Sequence, residues 1–211
     1  MPGTLVVAWA AVGAIAGAAV QPATRRLLTT DHVGVLIARP TTPLLTAILF
    51  GVLAWRLGWT FNLLAYSFLA ATGVVLAIID TLEHRLPSKL VLPSFAVLAT
   101  LFATSSIINA DPANLLRAAA ASIAVAGFYL VLALASGGGL GAGDVKLGAL
   151  LGLALGWAGW QVVLAGVFLG WCFAAITWLV LRATGRRAYL LPAGPFLLLG
   201  AFVVIGAMPP A

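Results

Sequence analysis

Five acidic side chains occur in 211 residues, and two of them, Asp80 and Asp144, stand where long apolar runs stop. A carboxylate within a membrane span costs about 2.5 to 3.5 kcal/mol on insertion scales, so an acid at a span boundary calls for a reason. Helix capping is the plainest one. The chemical alternative is a pair. Two carboxylates brought together resist ionising at the same time, so they share a proton and titrate as a unit. The ionised member then activates a water while the neutral member polarises a carbonyl, which is peptide hydrolysis without a serine or cysteine nucleophile.

Each acid has a distinctive context. Asp80 opens the stretch Asp80-Thr-Leu-Glu-His-Arg-Leu-Pro-Ser-Lys-Leu, in which Pro87 and Ser88 predict a helix start and Arg85 offers a nearby cation favouring the ionised carboxylate. Glu83 and His84 read as a solvated face, because one histidine with neighbouring acids is a weak metal signal. Asp144 ends Ser136-Gly-Gly-Gly-Leu-Gly-Ala-Gly-Asp, and Gly141 and Gly143 leave room for a substrate backbone to approach it. Lys146 follows two residues later and could bias its charge, although a lysine at a helix edge also serves topology. Near the carboxyl end, Gly194 and Pro195 predict a loop or a broken helix.

The elements that must position these residues are membrane helices. Hydrophobic residues make up 63% of the chain and charged ones 8%, against about 25% charged in soluble domains. Only helices or closed barrels satisfy their backbone in lipid, and about 20 residues are needed for a helix to cross. Apolar runs fall near residues 3–21, 42–58, 59–79, 90–108, 115–135, 146–158, 160–181 and 190–208. They predict an all-α polytopic bundle of about eight spans, or seven if the short second or sixth run joins a neighbour. No appended soluble domain is evident, so residues 1–211 read as one membrane domain.

With the amino terminus outside, every lysine and arginine except Arg56 and Arg117 lies on the cytoplasmic side, as the positive-inside rule prefers. The same alternation brings the Asp80 and Asp144 segments to one face. The net charge of +6 therefore reads as topology, and no nucleic-acid partner is expected. Cys172, the single cysteine, lies inside an apolar run, so neither a disulfide framework nor a cysteine zinc site is expected within the chain. Trp55, Trp59, Trp157 and Trp160 fall at outer span ends, as an aromatic belt requires. Gly148 and Gly152 suit close helix packing.

These segments resemble the type IV prepilin peptidase family. Asp80-x4-Arg85-Leu86-Pro87 is similar to its Asp-x4-Arg-[Ile/Leu]-Pro element, residues 138–147 to its Gly-x-Gly-Asp signature, and Pro192 to Gly200 to its third element. The resemblance covers roughly residues 60–205. It implies a GxGD-type aspartyl protease in the bacterial plasma membrane, with Asp80 and Asp144 catalytic at the cytoplasmic face. Arg85, Pro87, Gly141, Gly143, Lys146, Gly194 and Pro195 would support the site. Its substrates would be prepilins or pseudopilins, whose basic leader is cut from an apolar helix, commonly after glycine.

No metal or other cofactor is expected. Residues 21–41 lack the paired Cys-x-x-Cys elements of longer members, which leaves N-methylation, and with it S-adenosylmethionine, open. Two other classes fit the acids alone: a proton-coupled transporter and a noncatalytic partner that binds pilin helices. No oligomeric state follows from the sequence.

Overall fold

The computed structural model describes residues 2–27, 41–137, 140–185 and 191–208. Asp31, Arg39, Gly138, Gly139, Arg186 and Arg187 of the sequence reading lie outside the described residues, as do the side chains of Arg25 and Arg26. Among the described residues the chain forms eight helices: α1 (Pro2–Leu27), α2 (Thr41–Leu57), α3 (Phe61–Glu83), α4 (Ser88–Asn109), α5 (Pro112–Ala135), α6 (Ala142–Ala158), α7 (Trp160–Ala183) and α8 (Ala193–Ala207).

The protein is a multi-pass membrane protein, and the eight expected apolar runs all appear as helices, of different lengths. Five helices, α1, α3, α4, α5 and α7, are long and apolar enough to cross. At 1.5 Å per residue, α2 and α6, with 17 residues each, reach about 26 Å, and α8, with 15, about 22 Å. α2 and α6 thus stand at the lower limit of about 17 residues for a crossing, and α8 lies just below it. The run expected from residue 190 starts as a helix only at Ala193, after Pro192 as its N-cap.

Turn chemistry divides the helices. Asp111 caps α5 by accepting the Ala113 N–H at 3.2 Å, and Pro112 follows at the first position, where its missing N–H costs nothing. Between α6 and α7 a single residue, Gly159, makes the whole connection at φ 151°, ψ 161°, a backbone region open in practice to glycine alone.

Missing side chains set the packing distances. Gly148, Gly152 and Gly156, one helical turn apart, form the face of α6 that meets α5. A Cβ on Gly152 would lie 2.7 Å from the Ala121 carbonyl oxygen, and one on Gly156 would lie within van der Waals radius of the Ala121 methyl. Gly166 and Gly170 of α7 meet Gly200 of α8 in the same manner, and Gly13 and Gly17 of α1 meet α2. In lipid, where apolar burial drives helix association little, such contact supplies the dispersion energy.

Polar ties fix the register. Tyr66 of α3 donates to the Ala154 carbonyl of α6 at 2.9 Å, Ser122 of α5 to that of Ala149 at 2.9 Å, and Trp9 of α1 to the Ser67 hydroxyl at 2.9 Å. At the far end of α6, Arg117 donates to the Gly156 and Trp157 carbonyls at 2.8 and 2.6 Å, filling acceptors that a helix carboxyl end leaves open. Trp157 departs from the expected belt: it is buried and stacks on Phe102 at 4.7 Å, while Trp55, Trp59 and Trp160 are exposed.

Gly156→Ala is expected to lower stability by about 1 to 3 kcal/mol through overpacking against Ala121. Adding Ala121→Gly should restore part of the loss, read as the midpoint of thermal unfolding in detergent. A Gly156→Ala protein that melts like the parent would refute the close α5–α6 contact.

Candidate active site

Asp80 lies one turn before the end of α3, and its side chain is 4% exposed. The helix closes on His84, which takes a left-handed conformation (φ 50°) and returns its N–H to the Asp80 carbonyl at 2.9 Å. The chain then turns through Arg85 and Leu86 to Pro87, the N-cap of α4, whose carbonyl accepts from Leu90 and Val91 at 2.9 and 3.1 Å. The expected helix start at Pro87 and Ser88 is thus seen.

A carboxylate buried in a bundle needs donors, and the backbone donors inside α3 are spent on its own ladder. Asp80 finds one on another element. Its Oδ2 accepts the Gly194 N–H at 2.9 Å, from the first turn of α8, where N–H groups have no intrahelical partner. The contact tolerates only glycine, since a Cβ at position 194 would lie 2.7 Å from that oxygen. Gly194 and Pro195 therefore begin a helix instead of breaking one, and Pro195 is compatible with that first turn. Pro195 turns away from the acids into a separate apolar groove between α2, α3 and α8.

Asp144 is satisfied locally. It is the third residue of α6, and its Oδ2 accepts the N–H of Gly141, the N-cap, at 3.0 Å. This is the carboxylate half of a capping box. Both acids are thus held by backbone N–H groups at helix amino ends, where the helix dipole favours negative charge.

Two contacts bring the segments together. A Cβ on Gly143 would lie 2.8 Å from Cβ of Leu86, so the glycine lets α6 press against the turn after Asp80. One turn further, Lys146 Nζ donates to Ser88 Oγ at 2.6 Å. Lys146 thus ties α6 to α4. Arg85 lines the site, and its Nε donates to Glu83, so the charge contact seen for it is within its own loop.

Asp80 and Asp144 line one cavity of about 720 Å³, within the range of ligand sites. Asp144 is close enough to act on Asp80 by direct charge interaction, as does His84. The cavity floor is formed by His84, Arg85 and Leu86 with Leu140 to Asp144, and one wall by Leu191 to Ala193 and Phe196. The opposite wall is α7, through Trp171, Ala174, Ala175 and Trp178. Pro87, Lys146, Gly194 and Pro195 do not line the cavity; Gly194 and Lys146 act on residues around it through their hydrogen bonds to Asp80 and Ser88. His84, read from the sequence as part of a solvated face, lines the cavity, and Trp171 and Trp178 escaped the sequence reading. Trp171, Ala174, Ala175 and Trp178 do carry the i, i+3, i+4, i+7 spacing of one helix face, which was the available signal. Among the described residues no group of three His, Cys, Asp or Glu side chains is placed to hold a metal ion.

Fold and site together define a polytopic helical membrane protein with two acids from separate helices in one cavity at a helix-end face. The chain belongs to the type IV leader peptidase family, whose match covers residues 67–208 and so contains all three of the converging segments. It is 30% identical over 178 residues to the prepilin leader peptidase/N-methyltransferase of Neisseria gonorrhoeae, covering 81% of this chain and 58% of that protein. The protein of the same description from Pseudomonas aeruginosa is 28% identical over 171 residues, covering 79% and 57%. The chain thus spans less than two thirds of the length of these relatives. No solved structure gives a significant match.

If Asp80 and Gly194 touch as described, Gly194→Ala destabilises the protein by about 1 to 3 kcal/mol by overpacking. The cost should shrink when Asp80→Ala has already removed the carboxylate, a coupling read from a double-mutant cycle of thermal unfolding. Additive losses would show that the two positions do not meet.

Proposed function

We propose that this protein is a membrane aspartyl endopeptidase that removes the basic leader from type IV prepilins or pilin-like proteins. The observation that carries the reading is the presence of Asp80 and Asp144, from helices distant in sequence, in one cavity within the family match. The basic residues support a cytoplasmic site. Arg85, Lys89, Lys146 and Arg182 belong to the helix ends around the cavity, and Arg117 binds the opposite end of α6.

In the proposed reaction one carboxyl group is protonated and donates to the oxygen of the scissile carbonyl. The other, ionised, takes a proton from a water whose oxygen attacks the carbonyl carbon. The tetrahedral intermediate collapses as the carboxyl group that took the water proton passes it to the leaving nitrogen and the C–N bond breaks, while a hydroxyl of the intermediate returns its proton to the other carboxylate, so that the pair again holds one proton. Gly143 lets the turn after Asp80 close on α6 beside Asp144, and the backbone N–H groups of Gly141 and Gly194 aim the two carboxylates.

A transporter would place its acids nearer the bilayer midplane, whereas here they occupy helix ends. The short second, sixth and eighth helices and the lateral cavity suit an apolar helix whose boundary peptide bond is unwound at that depth.

Co-expression with a panel of prepilins tests the reading. The parent protein should release the leader, and Asp80→Asn and Asp144→Asn should each lower cleavage by about a thousandfold or more, because an amide cannot share the proton. Full processing by both variants would rule the dyad out. The intact mass of the new amino terminus shows in the same samples where the cut falls and whether a methyl group is added.

A further inference from the structure

α7 is held to the bundle on a narrow strip. Val163, Gly166 and Gly170 are its buried residues, and most of its large side chains face outward. Within that outer surface one line is ordered. Leu164, Phe168, Trp171, Ala175 and Trp178 follow one another at steps of four, three, four and three residues, the spacing that keeps a seam on one side of a helix facing a partner helix. All five are exposed: Leu164 70%, Phe168 67%, Trp171 39%, and Trp178 43%, with Ala175 between the tryptophans. The line runs about 21 Å along the helix axis, a large part of the hydrocarbon layer.

Its position distinguishes it from other lipid-facing surface. The upper three members, Trp171, Ala175 and Trp178, are the α7 wall of the cavity that holds Asp80 and Asp144. Leu164 and Phe168 continue the same face beyond the cavity. Ala175 leaves a notch between two aromatic rings, and the rings are supported: Trp171 stacks on the buried Tyr129 at 6.4 Å, and Trp178 carries the Arg182 guanidinium at 5.2 Å.

The geometry points to this seam as the docking track for the apolar transmembrane helix of the substrate, which would lie along α7 with its boundary peptide bond delivered to the carboxylates at the upper end. The inference rests on the peptidase reading and adds to it the surface that recognises the substrate. Apolar anchors recurring every three to four residues are what a helix needs to sit against another. Small residues between large ones allow the close approach that holds helices together in lipid.

Cysteine capture tests it. Cys172, the only cysteine, is first replaced by Ala, and Asp144→Asn is added so that a bound prepilin stays uncut. Leu164→Cys and Phe168→Cys are then compared with Ile176→Cys and Val180→Cys, which are 58% and 55% exposed on the side of α7 turned away from the seam. Against a prepilin carrying single cysteines along its apolar helix, capture at the seam is expected to exceed the controls about tenfold and to recur every three to four substrate positions. Equal capture on both sides of α7, or none at the seam, overturns the proposal and leaves lipid as the cover of that face.

A kinetic arm uses the intact dyad. Leu164→Ala with Phe168→Ala should raise KM for a full-length prepilin several-fold with kcat nearly unchanged, and should leave a short leader peptide without the apolar helix unaffected. Equal effects on both substrates overturn the track. The two readings fail separately. Seam capture with no cleavage of any prepilin by the parent protein would sink the peptidase and keep the docking surface, whereas cleavage without seam preference would do the reverse.

Discussion

The hydrogen bond from the Gly194 N–H to the Asp80 carboxylate is the constraint from which the arrangement of the site follows. An acid buried near the end of a helix in an apolar bundle cannot take donors from its own backbone, which is spent on the helix ladder, and its small exposed surface leaves part of the carboxylate in need of a donor from the protein. The amino end of another helix is the available source of free N–H groups. That requirement places the start of α8 against the end of α3, and the 2.7 Å clearance for a Cβ limits the donor to glycine. Pro195 next to it is compatible with the same geometry, since a proline in a first turn gives up no helix hydrogen bond.

Asp144 meets the same need differently. Its donor is its own N-cap, three residues back, so its side-chain direction is fixed once α6 begins at Ala142. What must then be fixed is α6 as a body. Its glycine face seats it on α5, Arg117 holds the carbonyls at its far end, Tyr66 ties its middle to α3, and Lys146 and Gly143 attach its near end to the turn after Asp80. One acid is positioned by a tertiary contact and the other by a local one on a clamped helix. Their position relative to each other depends on both kinds of contact.

This division explains what the sequence disclosed. Asp144 with its glycines, and Asp80 with Arg-Leu-Pro, were legible because local rules act on them: a costly acid at a span end, turn residues beside it, a proline opening the next helix. The long helices were legible from hydropathy. The role of Gly194 was not, because it depends on which of two oxygens meets which N–H across 114 residues. The left-handed turn at His84, the burial of Trp157 and the shortness of α8 likewise follow from neighbours. The contact of Arg85 Nε with Glu83 was likewise not legible, although its place in the same cavity as Asp80 follows from the short spacing between them.

The three short helices give the site its setting. A helix of 15 or 17 residues carries apolar surface barely through the hydrocarbon layer or a little less, so its polar ends lie where they need to be covered by protein or reached by water. In α6 the carbonyl end is covered by Arg117, and its amino end opens on the cavity beside that of α8. Free N–H groups from two helices therefore converge on one place, where carboxylates are the natural groups to receive them. α7 walls this opening with apolar and aromatic surface, and α3 brings Asp80 to it. An environment polar at its floor and apolar along its wall is what the proposed hydrolysis at the edge of an apolar helix would require, since water must reach the bond while the helix remains in lipid.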